Sequence, residues 1–459
     1  MSGQASFMSS VPLRIEPSPA LRRVLLIAFA YPPVQLVGSV RPAALAKYLP
    51  QFGWEAMVLT PKLPGTRRQS ESIVETGYRD VLEDWKARFH LDRKRGLHEK
   101  FGLSQAKKPG VTPVHTRVLD IAKYVLFYPD STKGWTSFAL AAVKEIRRQN
   151  LGIDAIVTTS PPISSHLIGR DAKDILGCPW IADLRDLWTQ NLGERTSNLL
   201  QIGLEKRTLR QADGLVTVSD PWATRLERRY PEKKIWTITN GFDPDDFDSP
   251  PPPLTREFSI SYTGELYAGQ RDPTLLFEVL SDLIQDGTIP ASELRVRFYG
   301  RVEPWLPALV EKFGLMEVVA INGPTPRLEA VAHQRESQIL LLLPWSNPKE
   351  TGHHSAKLFE YLAAARPILA IGGARGVITE TLQAVGAGAH AISKAEVREF
   401  LLSAYANYKT RGFVPYSGKK QAVEEYGHPN MARRFAQVLD SAVAGTKPRK
   451  SAPTTTSIR

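Results

Sequence analysis

Short apolar runs that alternate with helical segments constrain the fold of this chain more than any other feature of its sequence. Six runs before residue 248 are predicted to be strands, at residues 24–30, 55–60, 155–159, 180–182, 214–219 and 235–239. Five more follow, at 258–262, 295–299, 318–321, 338–343 and 368–371. Apolar strands joined by helices are typical of parallel sheets covered by helices on both faces. The pattern therefore predicts an α/β chain with two Rossmann-like, doubly wound parallel sheets.

A proline-rich stretch separates the two sets of strands. Residues 248–255 contain four successive prolines, a composition that favours a stiff polyproline linker. We therefore predict an N-terminal domain over residues 21–247 and a C-terminal domain over 256–428, with their sheets facing each other across a cleft. The polar ends, residues 1–20 and 445–459, are predicted to be flexible.

Residues 62–115 interrupt the alternation with a basic insert. A helix is predicted at 79–96, where Trp85 and Phe89 lie among lysines and arginines. Such a helix either packs on its own domain or lies on an anionic membrane surface, and the sequence leaves both open. The formal charge of +12 favours an anionic partner. Because the cations are scattered instead of clustered with aromatic residues, the sequence argues against a nucleic-acid binder.

The compartment is predicted from the cysteine content and the hydropathy pattern. The single cysteine, Cys178, excludes an internal disulfide and is typical of a reducing compartment. No apolar run approaches the roughly 20 residues that a membrane-spanning helix needs, and the N-terminus lacks the layout of a secretory signal. We predict a cytoplasmic protein and leave open a peripheral contact with the inner face of the membrane.

The segment from His353 to residue 370 carries the strongest chemical signal. A polar loop leads into a helix, and the helix is followed by an apolar strand that begins after a proline. The N–H groups at the start of a helix form a natural phosphate site, and Lys357 adds a cation in the first turn. Glu360 lies one turn later, within reach of two adjacent hydroxyls such as those of a ribose. The sequence therefore predicts a nucleotide-sugar site at this helix.

This segment resembles the donor-site helix of retaining glycosyltransferases of family four, which have the GT-B fold. The resemblance extends over roughly residues 22–428, and residues 183–188 are similar to a subset that acts on lipid-linked or exopolysaccharide saccharides. It implies transfer of a sugar from a nucleoside diphosphate sugar to a saccharide or lipid-linked saccharide, with retention and without a metal or other cofactor. Cell-surface polysaccharide or glycolipid synthesis is the implied setting. It also implies that a last helix, 429–444, crosses back to the N-terminal domain.

The resemblance assigns site residues as well. The donor-binding set is Gly38, Ser39, Gly264, Arg271, Gly300, Gly323, His354, Ser355, Ala356, Lys357, Leu358 and Glu360, and the catalytic set is Asp183, Arg185, Asp186, Arg271 and Lys357. Arg271 and Lys357 are expected to clamp the diphosphate. Arg185 stands where many members have a histidine, and a guanidinium stays protonated, so it cannot act as a base. Arg41 is expected to add charge beside Gly38 and Ser39, which precede a helix predicted at 41–52.

Two further positions depart from the family pattern. Glu265 stands where an arginine of the clamp is usual, and Gly352 stands where the first of two glutamates is usual. Glu350, two residues earlier, is able to replace that glutamate only if the loop differs. These departures keep open an inactive GT-B protein that binds a nucleotide-sugar or a partner. A nucleotide-sugar epimerase or a phosphorylase is the alternative within the same fold.

Overall fold

The computed structural model describes residues 21–34, 36–63, 72–81, 128–190, 199–267, 269–347 and 349–445. The N-terminal segment 1–20, all but the first residue of 445–459, and most of the insert lie outside these ranges. The basic helix predicted at 79–96 falls almost entirely on residues that are not described. The described residues form two parallel sheets with helices packed against them.

The first sheet contains seven strands among the described residues. They are β1 (Arg22–Ile27), β2 (Trp54–Pro61), β3 (Ile73–Thr76), β4 (Ala155–Ser160), β5 (Trp180–Leu184), β6 (Gly214–Thr217) and β7 (Ile235–Thr237). Their order is β3-β2-β1-β4-β5-β6-β7, and every pair is parallel. The order reverses between β1 and β4, and ligands bind outside the carboxyl ends of strands at such a reversal.

Two apolar layers lie on opposite faces of this sheet. The helices are α1 (Val37–Tyr48), α2 (Thr136–Arg148), α3 (Ser164–Leu176), α4 (Leu199–Leu209) and α5 (Asp220–Arg229). Along β1, Leu25 and Ile27 belong to one buried cluster, whereas Val24 and Leu26 belong to the other. Successive side chains of a strand point to opposite faces, which explains why the strands that are covered on both faces read as continuous apolar runs.

The second sheet repeats this architecture. Its strands are β8 (Phe258–Thr263), β9 (Leu294–Tyr299), β10 (Val319–Gly323), β11 (Ile339–Leu342), β12 (Ile368–Ile371) and β13 (Gly388–Ala391), in the order β10-β9-β8-β11-β12-β13. Its helices are α6 (Thr274–Gln285), α7 (Trp305–Lys312), α8 (Arg327–Glu336), α9 (Ala356–Ala363), α10 (Val377–Val385), α11 (Lys394–Arg411) and α12 (Lys420–Glu424). All of its strand pairs are parallel. The predicted fold class, two parallel α/β units, is confirmed.

The last helix, α13 (His428–Ala444), packs on the first half of the chain. Its Met431, Phe435 and Leu439 are buried in the same cluster as Val24 of β1. The indole of Trp54 donates a hydrogen bond to a carboxylate oxygen of the helix, at 2.9 Å. The end of the chain therefore returns to the first sheet. Within the described ranges, no helix is both long enough and apolar enough to span a bilayer.

Candidate active site

A single glycine stands at the carboxyl end of each of the strands β8, β9 and β10: Gly264, Gly300 and Gly323. The N–H of Gly264 donates to the carbonyl of Tyr299 at 2.6 Å, and the N–H of Gly300 donates to the carbonyl of Gly323 at 2.7 Å. Gly264 and Gly300 have φ angles of +115° and +145°, which side chains other than hydrogen rarely tolerate. A Cβ on Gly300 would collide with the carbonyl of Gly264. This edge of the sheet is therefore bare backbone that a ligand is able to approach closely.

Lys357, in the first turn of α9, points toward this edge. Its aliphatic chain lies where a Cβ on Gly264 would be, well inside van der Waals contact. Burial, and after it the charge of Arg271, lower the pKa of the Lys357 ammonium well below its ordinary value, although Glu360 and Glu265 act in the opposite direction. The ammonium is thus held among the strand ends and not in open solvent.

Arg271 lies on the loop after β8, and both Arg271 and Lys357 approach Tyr262. The Lys357 nitrogen is 5.2 Å from the centroid of the Tyr262 ring. The side chain of Arg271 is buried, with 7% exposed, and the guanidinium lies 4.9 Å from the ring centroid of Tyr267. One terminal nitrogen is 3.5 Å from the hydroxyl of Tyr262, and Nε has no hydrogen-bond partner among the described residues. Among those residues, no carboxylate forms an ion pair with Arg271 or Lys357. Two cations therefore lie together without a counter-ion from the described part of the chain.

The start of α9 adds hydrogen-bond donors to these cations. Ser355 is the N-cap residue, and its buried hydroxyl has no partner within the described ranges. The N–H of Leu358 donates to the carbonyl of Ser355 at 3.0 Å, so Leu358 does not offer the donor expected of it. The N–H groups of Ala356 and Lys357 belong to the first turn, where a helix supplies no acceptor. A helix N-terminus, an ammonium and a guanidinium together suit a diphosphate.

Glu360 lies one turn further along α9 and is fixed by an ion pair. Its Oε1 accepts a hydrogen bond from Arg327 at 2.7 Å, and Gln334 lies 3.5 Å from the other oxygen. Arg327 also contacts Asp246 at 2.6 Å. The sequence did not single out Arg327, because an arginine at the start of an exposed helix carries no distinguishing pattern. The carboxylate is partly exposed and oriented, which leaves it able to accept hydrogen bonds from vicinal hydroxyls.

Arg185 and the glycine loop meet in the first half of the chain. Helix α1 begins at Val37, four residues earlier than predicted, so Gly38 and Ser39 lie in its first turn. A Cβ on Gly38 would lie 3.3 Å from both terminal nitrogens of Arg185. The hydroxyl of Ser39 donates to the carbonyl of Leu36 at 2.7 Å, so it is engaged within the loop. Gly38 therefore makes room for the Arg185 guanidinium.

Asp183, which was expected to be catalytic, and Arg41, which was expected to add charge beside Gly38 and Ser39, form a buried ion pair with each other. Strand β5 runs two residues further than predicted, so Asp183 lies inside it and is fully buried. Its oxygens accept hydrogen bonds from Nε and Nη2 of Arg41, both at 3.0 Å, and from Thr159 at 2.9 Å. The remaining donors of Arg41 bind the carbonyls of Ile238 and Thr239, each at 2.8 Å. This pair ties α1 to the sheet, and the buried carboxylate is closed to a substrate.

Asp186 follows β5 and is partly buried. Burial raises the pKa of Asp186, Arg185 lowers it, and Glu350 raises it further. Glu350 belongs to the loop after β11, in the second half of the chain. Asp186 is therefore close enough to this loop for the charge of Glu350 to act on it.

Glu350 itself is engaged by the first half of the chain. Its carboxylate accepts hydrogen bonds from the indole of Trp222 at 2.9 Å and from Arg225 at 3.3 Å. A Cβ on Gly352 would lie 2.5 Å from the Trp222 ring, so no larger side chain fits there. Glu350 therefore does not replace the family glutamate that is missing at position 352. Both residues instead form a contact between the two halves.

The two adjacent histidines have different environments. His354 is buried, with its ring nitrogens 3.2 Å from the carbonyl of Val218 and 3.5 Å from the hydroxyl of Thr381. Both nitrogens of this predicted donor residue are thus engaged with the protein. Burial, followed by the charge of Arg271, lowers the pKa of His353 to about 3. His353, which the sequence did not single out, is therefore a neutral ring beside the cations.

Comparisons with known proteins agree with this architecture. Residues 39–246 match the sequence model of Glycosyltransferase Family 4. Sucrose-phosphate synthase from Thermosynechococcus elongatus is 15% identical, with a TM-score of 0.61 over 93% of this chain and 100% of that one. Anabaena HepE in complex with UDP and glucose is 11% identical, with a TM-score of 0.58 over 92% and 100%. The pneumococcal O-GlcNAc transferase GtfA with UDP and GlcNAc is 8% identical, with a TM-score of 0.54 over 93% and 100%. No curated protein matches the sequence.

At these identities the structural likeness shows the fold alone. The sequence match covers residues 39–246, which is less than half of the chain. The two facing parallel-sheet units have the GT-B arrangement of these glycosyltransferases. The predicted GT-B fold is therefore confirmed, and the match of residues 39–246 to the Glycosyltransferase Family 4 model supports the prediction of a glycosyltransferase.

Proposed function

We propose that this protein transfers a sugar from a nucleoside diphosphate sugar to a hydroxyl of an acceptor. The observation that carries the proposal is the pairing of Lys357 and Arg271 at the N-terminus of α9, without a carboxylate partner in the described part of the chain. Breaking the glycosidic bond of such a donor leaves a diphosphate, and stabilising its developing negative charge is the main catalytic task. Two cations and a helix N-terminus suit this task.

The nucleoside would extend from the diphosphate along the strand ends. Glu360, held by Arg327, would accept hydrogen bonds from the ribose. Gly300 and Gly323 would flank the base, because bare backbone at these positions permits close approach. HepE and GtfA were both solved with UDP and a sugar, and this supports a nucleotide-sugar as the donor class.

The acceptor would approach from the first half of the chain. Arg185 and Asp186 follow β5, and the charge of Glu350, from the second half, acts on Asp186. A sugar hydroxyl would lie between these two residues and the donor. Retention of the anomeric configuration and a polysaccharide or lipid-linked acceptor follow from the family resemblance. We assign no protein nucleophile. A donor phosphate oxygen would take the acceptor proton on the same face of the sugar.

A thermal-shift panel of nucleoside diphosphates and their sugars tests the donor class. At least one of them should raise the unfolding temperature, because a ligand that binds only the folded state stabilises it. Lys357→Ala should remove this shift, whereas Lys312→Ala, on α7, should keep it. An unchanged shift in Lys357→Ala would overturn the phosphate assignment.

An inactive nucleotide-sugar binder is the second candidate. The contact between Gly352 and Trp222 favours it, because the family's first glutamate has no space here. Donor hydrolysis and transfer assays separate the two functions. A protein that binds the donor and turns over none of it, with or without acceptors, would support the inactive binder.

A further inference from the structure

A shallow basic cavity, open to solvent, lies in the first half of the chain, outside the donor site. It has a volume of about 440 Å³ and is lined by Gln190, Lys206, Arg225, Arg228 and Arg229. Lys206 and Arg228 are exposed. The three arginines occupy one face of α5, because residues three and four apart are neighbours on a helix. Lys206 comes from α4, and Gln190 comes from the loop after β5. Three elements therefore place four cations around one small space.

Two of the four cations have carboxylate partners. Arg229 contacts Glu205 at 3.1 Å, and Glu205 is almost fully buried. Arg225 contacts Glu350 at 3.3 Å. Lys206 and Arg228 form no ion pair with any residue that the structure describes. The cavity therefore keeps a net positive charge, and its cations come from both α4 and α5.

The cavity is also close to the side of the site where the acceptor would enter. Gln190 is four residues after Asp186, on the same loop. Arg225 reaches Glu350, which belongs to the loop that leads to the donor-side helix α9. An anion in this cavity would thus lie beside the junction of the two halves, while the donor diphosphate lies on the second half.

We infer that this cavity binds the phosphate or diphosphate group of the acceptor. Guanidinium and ammonium groups bind phosphate oxygens through charge-assisted hydrogen bonds. The open cavity has room for a phosphate group, and it leaves the sugar that carries the phosphate free to extend into solvent or toward the donor. The identification as an acceptor site rests on the proposed function, whereas the binding of an anion here does not. The phosphate belongs either to a lipid-linked saccharide or to a soluble sugar phosphate.

Calorimetric titration with inorganic pyrophosphate tests the inference. The wild-type protein should show two sites. The double variant Lys206→Ala/Arg228→Ala should weaken one of them about tenfold or more, because hydrogen bonds to charged groups contribute strongly. Lys357→Ala should instead weaken the other site. If Lys357→Ala leaves nucleoside diphosphate binding intact, the proposed function fails while the cavity site persists, so the two failures are distinguishable.

A matched double variant controls for the overall loss of charge. Arg207→Ala/Arg210→Ala removes the same charge beside Lys206, but neither residue lines the cavity. This variant should bind pyrophosphate as the wild type does, and all variants should keep the wild-type unfolding temperature without ligand. A pyrophosphate isotherm unchanged in Lys206→Ala/Arg228→Ala, or an equal loss in the control variant, would overturn the inference.

Vesicle co-sedimentation separates the two sources of phosphate. Phosphatidylcholine vesicles with and without a polyprenyl phosphate are compared for the wild type and for Lys206→Ala/Arg228→Ala. Binding that requires both the polyprenyl phosphate and the two cations would identify a lipid-linked acceptor. Pyrophosphate binding without vesicle binding would identify a soluble sugar phosphate. If Lys206→Ala/Arg228→Ala keeps both pyrophosphate binding and vesicle binding, the cavity has no role in either.

Discussion

The side chain of Lys357 lies against Gly264, in the space that a Cβ atom at position 264 would fill. The glycine permits the left-handed backbone at the end of β8 and also provides the path by which the ammonium reaches the strand ends. A single glycine therefore sets the position of the principal cation of the proposed donor site.

Gly264→Ala should reduce the affinity for the donor nucleotide about tenfold or more, because the displaced ammonium would lose its charge-assisted hydrogen bonds. Calorimetry with the stabilising nucleoside diphosphate measures this loss. The φ of +115° adds a backbone penalty of about 1–2 kcal/mol in stability. Gly287→Ala is the matched control, since Gly287 also has a positive φ, of +74°, but has open space around its Cβ position. The control should lose stability and keep its affinity; an equal loss of affinity in both variants would contradict the role of the contact.

Gly352→Glu should not restore the glutamate found in the family. The new side chain would meet the ring of Trp222, and overpacking of this kind costs about 1–3 kcal/mol. We expect a lower thermal unfolding midpoint and no gain in transfer rate. The cost should shrink when the substitution is made in a Trp222→Ala background, as a double-mutant cycle would reveal. A Gly352→Glu protein that is as stable as the wild type would show that this contact does not hold the two halves together.

Glu360→Gln should weaken discrimination between a ribonucleoside diphosphate and its 2′-deoxy analogue. The carboxylate would accept hydrogen bonds from the ribose hydroxyls, and an amide replaces one of its acceptor oxygens with a donor. The ratio of the two dissociation constants is the readout, because a change in folding or in the pairing with Arg327 would affect both nucleotides alike. If the wild type binds both analogues equally, Glu360 does not contact the 2′-hydroxyl.

The sequence predicted the parts of the fold that depend on local patterns. Strand β12, Ile368–Ile371, has the predicted bounds, because a clear apolar run that begins after a proline marks it. Strand β13 was missed because its four residues, Gly388–Ala391, include a histidine and no large apolar side chain. Its pairing with β12 makes it a strand, and no local pattern predicts that.

The sequence predicted the two basic residues of the candidate site, but it did not predict which residues contact the other site residues. The order of the motifs predicts that Lys357 and Arg271 lie near each other, and both side chains approach Tyr262. The role of Asp183 was not predictable, because its partner Arg41 lies 142 positions away in the sequence.

Replacing one member of the buried pair Arg41–Asp183, as in Arg41→Met, should cost about 3–5 kcal/mol in stability and leave nucleotide affinity unchanged in the folded protein. Chemical denaturation and calorimetry measure these two effects separately.

Donor binding should be accompanied by uptake of a proton. The pKa of Lys357 is lowered in the free protein, first by burial and then by Arg271, so the ammonium loses its proton at a lower pH than an exposed lysine does. A bound diphosphate favours the charged form and raises this pKa. Between the two pKa values the complex therefore holds one more proton, and affinity should fall as pH rises through that window. Calorimetry in buffers of different ionisation enthalpy measures the uptake. Lys357→Arg should abolish the proton uptake while keeping the positive charge. His353→Asn tests whether the neighbouring imidazole contributes instead. Proton uptake that persists in Lys357→Arg would assign the proton to another group.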